Sequence, residues 1–161
     1  MTVGFIAVDG TTRISWVTSI ANIQAPTAAE LTAGLLLTSI LTPDGVQNFQ
    51  PATASIPTSS LADTFDTVGA GRTSFQIAIL QFYKQPSADT AYTTLIRNAA
   101  GFVAIRRYIA TGTAYTAAQS CQIYPAICGD QIDMDPAPNE AAKWQAQIFI
   151  SAAPALKATI A

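Results

Sequence analysis

Near the C-terminus Trp144, Ala146, Ile148 and Ile150 recur at every second position, with Gln145, Gln147 and Ser151 falling on the other face and only Phe149 breaking the alternation. Side chains with period two point to opposite faces of an extended chain, so Ala142 to Ile150 reads as a strand with one face in a core. Apolar residues alternate with small polar ones along much of the sequence, which is 50% hydrophobic and only 11% charged. So few ionised groups leave little to cover the exterior of a solitary globule, which points to a β-rich structural subunit partly covered by neighbours.

The length of 161 residues suits a single domain, 1–161, with enough chain to bury a core without disulfide or metal. The net charge of −2 sums ten carboxylates and eight basic residues. The basic residues are scattered apart from Arg106 and Arg107, so no phosphate-tracking patch is visible. Those two arginines, adjacent on a strand, point to opposite faces and cannot form one clamp. One is expected to face a partner or a carboxylate and the other solvent.

The segment 1–24 reads as an N-terminal arm or hairpin, with Phe5 to Val8 apolar, a turn at Asp9-Gly10, and Arg13 to Ile20 carrying Ile14, Trp16 and Val17. Thr27-Ala28-Ala29-Glu30 is a capping box that opens a short helix ended by Gly34. Leu35 to Leu41 has the length and branching of a buried strand, and Thr42-Pro43-Asp44-Gly45 the chemistry of a turn. Residues 46–72 are rich in Thr, Ser and Ala and read as a long inter-strand loop with short edge-like strands. Such a segment inside a compact domain either stays mobile or lies on a surface outside it, and Val46, Phe49, Ile56, Leu61, Phe65 and Val68 give it something to bury there. Phe75 to Tyr83 is predicted as a central strand buried on both faces. Ser87 is placed to cap an α-helix carrying Ala88, Ala91, Tyr92, Leu95, Ile96 and Ala99, closed by Gly101. Strands are expected at Phe102 to Ile109 and Cys121 to Ile127, and 155–161 as a C-terminal edge strand or a tail.

The chain has no histidine, and so lacks both the side chain that titrates near neutral pH and the commonest metal-ligating nitrogen. No G-x-S-x-G elbow occurs, and a cysteine nucleophile would have no imidazole to activate it. Cys121 and Cys128, the only two cysteines, would lie about 23 Å apart on an extended segment, beyond disulfide reach unless the chain reverses near Pro125. Two buried thiols are the expectation. Asp130, Asp133 and Asp135 lack the glycine turn and following glutamate of a calcium loop and read as a solvated loop. Gly69-Ala-Gly71-Arg-Thr73 precedes a strand and has no lysine, so it reads as turn chemistry. No catalytic, cofactor or metal residue is assigned. Leu31 to Leu41 falls well short of the ~20 residues of a membrane-spanning helix.

Taken in order, Trp16-Val-Thr-Ser-Ile20, Ala25-Pro-Thr-Ala-Ala-Glu-Leu-Thr-Ala-Gly34 and Leu41-Thr-Pro-Asp-Gly45 resemble the opening of major tail tube proteins from long, flexible-tailed bacteriophages of actinobacteria. The likeness continues through Asp89-Thr-Ala-Tyr92 with Leu95, Gly101-Phe-Val-Ala-Ile-Arg-Arg107, Tyr124-Pro125, and Asn139-Glu-Ala-Ala-Lys-Trp-Gln-Ala-Gln147 with Pro154. Residues 46–72 show no firm match. The resemblance implies a mainly β, α+β fold, a β-sandwich or barrel-like subunit with one flanking α-helix, non-enzymatic, forming hexameric rings that stack into a tube for DNA ejection. It also implies a tape measure protein in the lumen before ejection, tail terminator and distal tail proteins at the ends, transient passage of double-stranded DNA, and a place in the virion tail after assembly in the host cytoplasm. On that reading residues 46–72, the arm and the C-terminal run carry the contacts between subunits. A non-catalytic β-sandwich binding module, such as a phage decoration or carbohydrate-binding adhesin domain, is the alternative, though Trp16 and Trp144 sit in patterned apolar strands rather than on an exposed platform. An enzyme using carboxylates alone, most naturally a glycosidase, would need an acid pair that the spacing does not single out.

Overall fold

The period-two segments of the sequence pair with one another in antiparallel register. The computed structural model describes residues 4–161, so Met1 to Val3, where the expected arm begins, lie outside the described residues. The elements run β1 (Arg13–Val17), α1 (Ala28–Ala33), β2 (Leu35–Leu36), β3 (Leu41–Gln47), β4 (Ala52–Pro57), β5 (Val68–Ser74), β6 (Ala78–Tyr83), α2 (Thr90–Thr94), β7 (Ala100–Arg106), β8 (Ser120–Asp133), β9 (Lys143–Ile150) and β10 (Ala155–Thr159). Strands hold 42% of the residues and helices 7%, so the fold is mainly β, sandwich-like and not a closed barrel.

An eight-stranded sheet is ordered β2-β1-β7-β8-β9-β6-β3, with β10 also on β8. The 14-residue β8 joins its two halves. One edge of β8 bonds β7, while the other bonds β10 at Ser120 to Ile123 and β9 from Ala126 onward. An extra residue between Cys128 and Gln131 bulges β8 against β9, which bends the sheet.

The two faces of this bent sheet bury different cores. One gathers Ile14, Trp16, Val103, Ile105, Tyr124, Cys128, Trp144, Ile148, Leu80 and Phe82. Phe82 stacks on Trp144 at 4.5 Å, and Tyr92 meets the same indole edge-on. The opposite face of β1, β7 and β8 presents Val17, Ala104, Cys121 and Ile123 to Leu31 of α1 and to Ala155, Ala158 and Ile160. Central strands are thus apolar on both sides, and each large side chain buried contributes about 1.5–3 kcal/mol. Gly101 lets this happen at one crossing, because a Cβ there would lie 2.7 Å from the Trp16 ring.

Several local expectations change. The capping box forms, with Glu30 N–H donating to Thr27 Oγ1 at 3.2 Å and Thr27 N–H to Glu30 Oε2 at 2.8 Å. Leu35 to Leu41 is not one strand: β2 ends at Leu36, and the chain turns through Leu37 to Ile40 before β3. Thr42-Pro43-Asp44-Gly45 is a bulge within β3, where Leu41 opposes Phe82 and Val46 opposes Leu80. Turn residues suit a bulge equally, since both need a missing amide or a close approach. Phe75 to Tyr83 contributes only β6, which alternates buried and half-buried side chains and lies one strand in from the β3 edge. The second helix shrinks to five residues capped by Asp89, whose carboxylate accepts from Tyr92 N–H. Ala88 (φ 46°) and Asn98 (φ 65°) take left-handed backbone on either side, which stops helical propagation. β8 runs past the expected Ile127 to Asp133, so Asp130 and Asp133 sit on a strand rather than in a loop. The C-terminal run pairs with β8 and buries Ala155, Ala158 and Ile160 instead of leaving as a tail.

Candidate self-assembly surface

Between β3 and β6 the chain leaves the main sheet and makes a separate two-stranded sheet, β4 with β5. Thr, Ser, Ala and Gly dominate this ribbon, and none of its side chains is buried. Gly71 is required by the narrow pairing, because a Cβ would sit 2.9 Å from the Ala54 carbonyl. Gly69 to Thr73 therefore belongs to a strand, where turn chemistry was expected. The ribbon continues past its strands through Thr58 N–H to Thr67 O at 2.9 Å. Its tip is organised by Ser60 N–H donating to Asp63 Oδ2 at 2.6 Å, a bond that holds the Asp63 carboxyl below the ordinary aspartate value.

Of the six residues expected to meet another subunit, the structure separates two from four. Phe49 is buried against Tyr124, ring centroids 5.1 Å apart, and Val46 packs half-buried on the same core. Both spend their apolar surface inside the subunit. Ile56, Leu61, Phe65 and Val68 are exposed, Phe65 at 78% and Leu61 wholly. An isolated two-stranded ribbon is marginal in water, and this one carries four large apolar side chains in the open. In the arm, Phe5, Ile6 and Val8 are also exposed; Gly4 to Thr12 form no strand, and Gly10 turns the chain at φ 67°.

The loop from Arg107 to Gln119 is held in a way the sequence did not suggest. Arg106 is fully buried, yet among the described residues no carboxylate pairs with it. It donates instead to the carbonyls of Thr113 at 2.9 Å, Ala114 at 3.0 Å and Ala110 at 2.9 Å, and to Gln119 Oε1 at 3.1 Å. Arg13 bonds the carbonyls of Thr111 and Thr113, and both guanidiniums lie over the Tyr115 ring. Burial pushes the Arg106 pKa down, with the Tyr115 charge opposing and Arg13 assisting that shift. Arg107 lies half-buried on the other face, its Nε donating to Gln122 Oε1 at 3.3 Å. Only the adjacent Arg-Arg pair hinted at this arrangement.

Chemistry offers less. Cys121 and Cys128 are free and buried, on opposite faces of β8, and burial pushes both thiols up to about 11. Such thiols are poor nucleophiles at neutral pH. Among the described residues no group of three or more acidic or thiol side chains is placed to hold a metal. Asp130 faces Arg97 at 3.6 Å, and Asp133 accepts from the Tyr92 hydroxyl at 3.5 Å. Both tryptophans lie in the core, at 2% and 0% exposure, and form no surface platform. Among the described residues no helix is long and apolar enough to cross a membrane.

A phage tail tube protein family model matches residues 1–161. In fold, the chain is similar to one from the cryo-EM structure of the anti-feeding prophage baseplate, symmetrised six-fold, with a TM-score of 0.61. That similarity covers 93% of this chain and 95% of the other at 7% identity. No curated protein matches the sequence.

Proposed function

The chain belongs to the phage tail tube protein family and is a structural tail component, and from that we propose that its copies form hexameric rings stacked into the tail tube of a long, flexible-tailed phage of actinobacteria. The observation that carries this reading is the free β4–β5 ribbon with Ile56, Leu61, Phe65 and Val68 uncovered. A ribbon with both edges open needs a companion, and identical copies supply one to every subunit in turn. The 16.9 kDa chain then hides much of its low-charge exterior in obligate interfaces, which bury about 2,000–5,000 Å² each and are more apolar than ordinary surface.

In the same reading 1–161 acts as one tail tube domain, the arm and C-terminal run join the ribbon in contacts between copies, and the assembly forms in the host cytoplasm. A tape measure protein fills the lumen before ejection, and terminator and distal tail proteins close the ends. Double-stranded DNA then passes through. A lumen with weak attraction for phosphate favours transit, because each neutralised phosphate adds counterion-release affinity, and a net charge of −2 suits that.

Electron microscopy of the purified protein over a range of concentrations tests the proposal: stacked six-fold rings are expected. Deleting Ser55 to Asp66 should leave a folded body that forms no tubes. Tubes of normal length from that variant would remove the ribbon from the assembly, and dispersed single particles from the parent at every concentration would favour a binding module instead.

A further inference from the structure

Resting on the tube reading above, we propose that the ribbon tip of one copy, Leu61 to Asp66, docks into a surface depression beside Arg107 and Lys157 of a second copy. The depression has a volume of about 300 Å³ and is lined by Ile105, Arg107, Tyr108, Gln122, Leu156 and Lys157 among others, none of them acidic. That is the volume of about ten bulk waters, room for apolar side chains on an apolar floor with a cationic rim.

The charges of the chain single out this rim. Arg97 and Lys143 pair with Asp130 and Glu140, Lys84 lies over the Tyr92 ring, and Arg13 and Arg106 are committed to the Arg107 to Gln119 loop. Arg72 is on the ribbon itself. Among the described residues, Arg107 and Lys157 are therefore the cations of the body with neither an acidic nor an aromatic partner. The tip is their complement: Leu61 and Phe65 are bare, and Asp63 and Asp66 stand between and beside them. Among the described residues Asp63 and Asp66 accept only from Ser60 N–H and the Ser59 hydroxyl, and neither forms an ion pair.

The acceptor is also preorganised. Tyr108 takes a left-handed backbone, φ 65°, and holds its ring 63% exposed at the edge of the depression. Bulky residues rarely adopt that conformation, and it persists where surrounding structure supports it. The residues that follow Tyr108 are held by Arg106 and Arg13 through the carbonyls of Ala110, Thr111, Thr113 and Ala114. Because tip and depression are different patches of one chain, their contact is head-to-tail and propagates from copy to copy.

Charge reversal and its rescue test the docking. Asp63→Lys with Asp66→Lys, and separately Arg107→Glu with Lys157→Glu, should each cut the sedimenting polymer by about ten-fold or more, since like charges brought together cost several kcal/mol. All four substitutions in one chain, or a mixture of the two double variants, should restore it. Circular dichroism melts establish that each variant is folded. In unreversed protein, Leu61→Cys and Leu156→Cys copies should cross-link to one another in the polymer. Undiminished polymer from both double variants overturns the docking while leaving the tube reading standing. Capture of Leu156→Cys by Phe5→Cys instead of Leu61→Cys overturns it too, assigning the depression to the N-terminal arm. A parent protein that never polymerises sinks the tube reading, and the docking with it.

Discussion

Strands β7 and β8 bury most of their side chains, on both faces of the sheet, whereas β4 exposes all six of its residues and β5 buries none of its seven. Both regions are antiparallel pairs with similar backbone bonding. They differ in what their side chains meet. Val103, Ile105, Tyr124 and Ile123 are buried within this chain, while Ile56, Leu61, Phe65 and Val68 stand exposed. Hydrogen bonding shapes a ribbon, but apolar burial decides whether it is stable alone. The body buries its own apolar surface within the described residues, and the ribbon leaves Ile56, Leu61, Phe65 and Val68 exposed.

The largest expected effect lies in the body. Trp144→Ala removes the ring between Phe82 and Tyr92 and should cost about 3–5 kcal/mol in a urea titration; a loss under about 1 kcal/mol would break the contrast by showing that core to be loosely packed. Alkali probes the same region. The unfolded thiols ionise near 9.0 and the buried ones near 11. Above the unfolded value the unfolded chain therefore holds fewer protons, and stability falls as pH rises across that window, by about 2–3 kcal/mol per thiol. Melts between pH 8 and 11 should show this, and Cys121→Ala with Cys128→Ala should flatten the slope.

Gly101→Ala should cost about 1–3 kcal/mol through contact with Trp16 and the Val17 carbonyl, measured by thermal melts. Thr27→Ala removes the α1 cap and should cost about 1 kcal/mol. Smallest of all, Leu61→Ala with Phe65→Ala should shift the monomer's melt by no more than about 0.5 kcal/mol while abolishing tubes under the microscope. A large drop in monomer stability would erase the distinction between the two regions, since it would mean that the tip packs on its own body.

Sequence patterns were most readable where local chemistry and tertiary environment agree. The Trp144 to Ile150 alternation became β9 with its apolar face in the core, and Thr27 with Glu30 closed the capping box, because each depends on neighbours close in the chain or on one buried face. Thr42 to Gly45 misled because the same residues serve turns and bulges: Pro43 needs no ladder partner, and a Cβ at Gly45 would sit 2.5 Å from the Gln81 carbonyl of the neighbouring strand. The Ala88 to Ala99 stripe misled because Ala91 and Leu95 anchor a single turn, after which Asn98 N–H bonds Cys128 O and draws the chain into β7. In the 46–72 segment, composition located a region with something to cover, but Phe49 faced inward and Leu61 outward for reasons no local pattern holds.

From the order of its residues alone, the chain determined a mainly β subunit, poor in charge and lacking histidine, with a long polar excursion: composition and period-two alternation are local properties that act before any long-range contact forms. Tertiary structure alone decided that Arg106 would clamp a loop through carbonyls, that Arg107, just past the end of β7, and Lys157 of β10 would line one depression, and that the ribbon would stand apart from the sheet. Those outcomes depend on which distant strands become neighbours, and pairing register is set by the burial of whole faces rather than by any one segment.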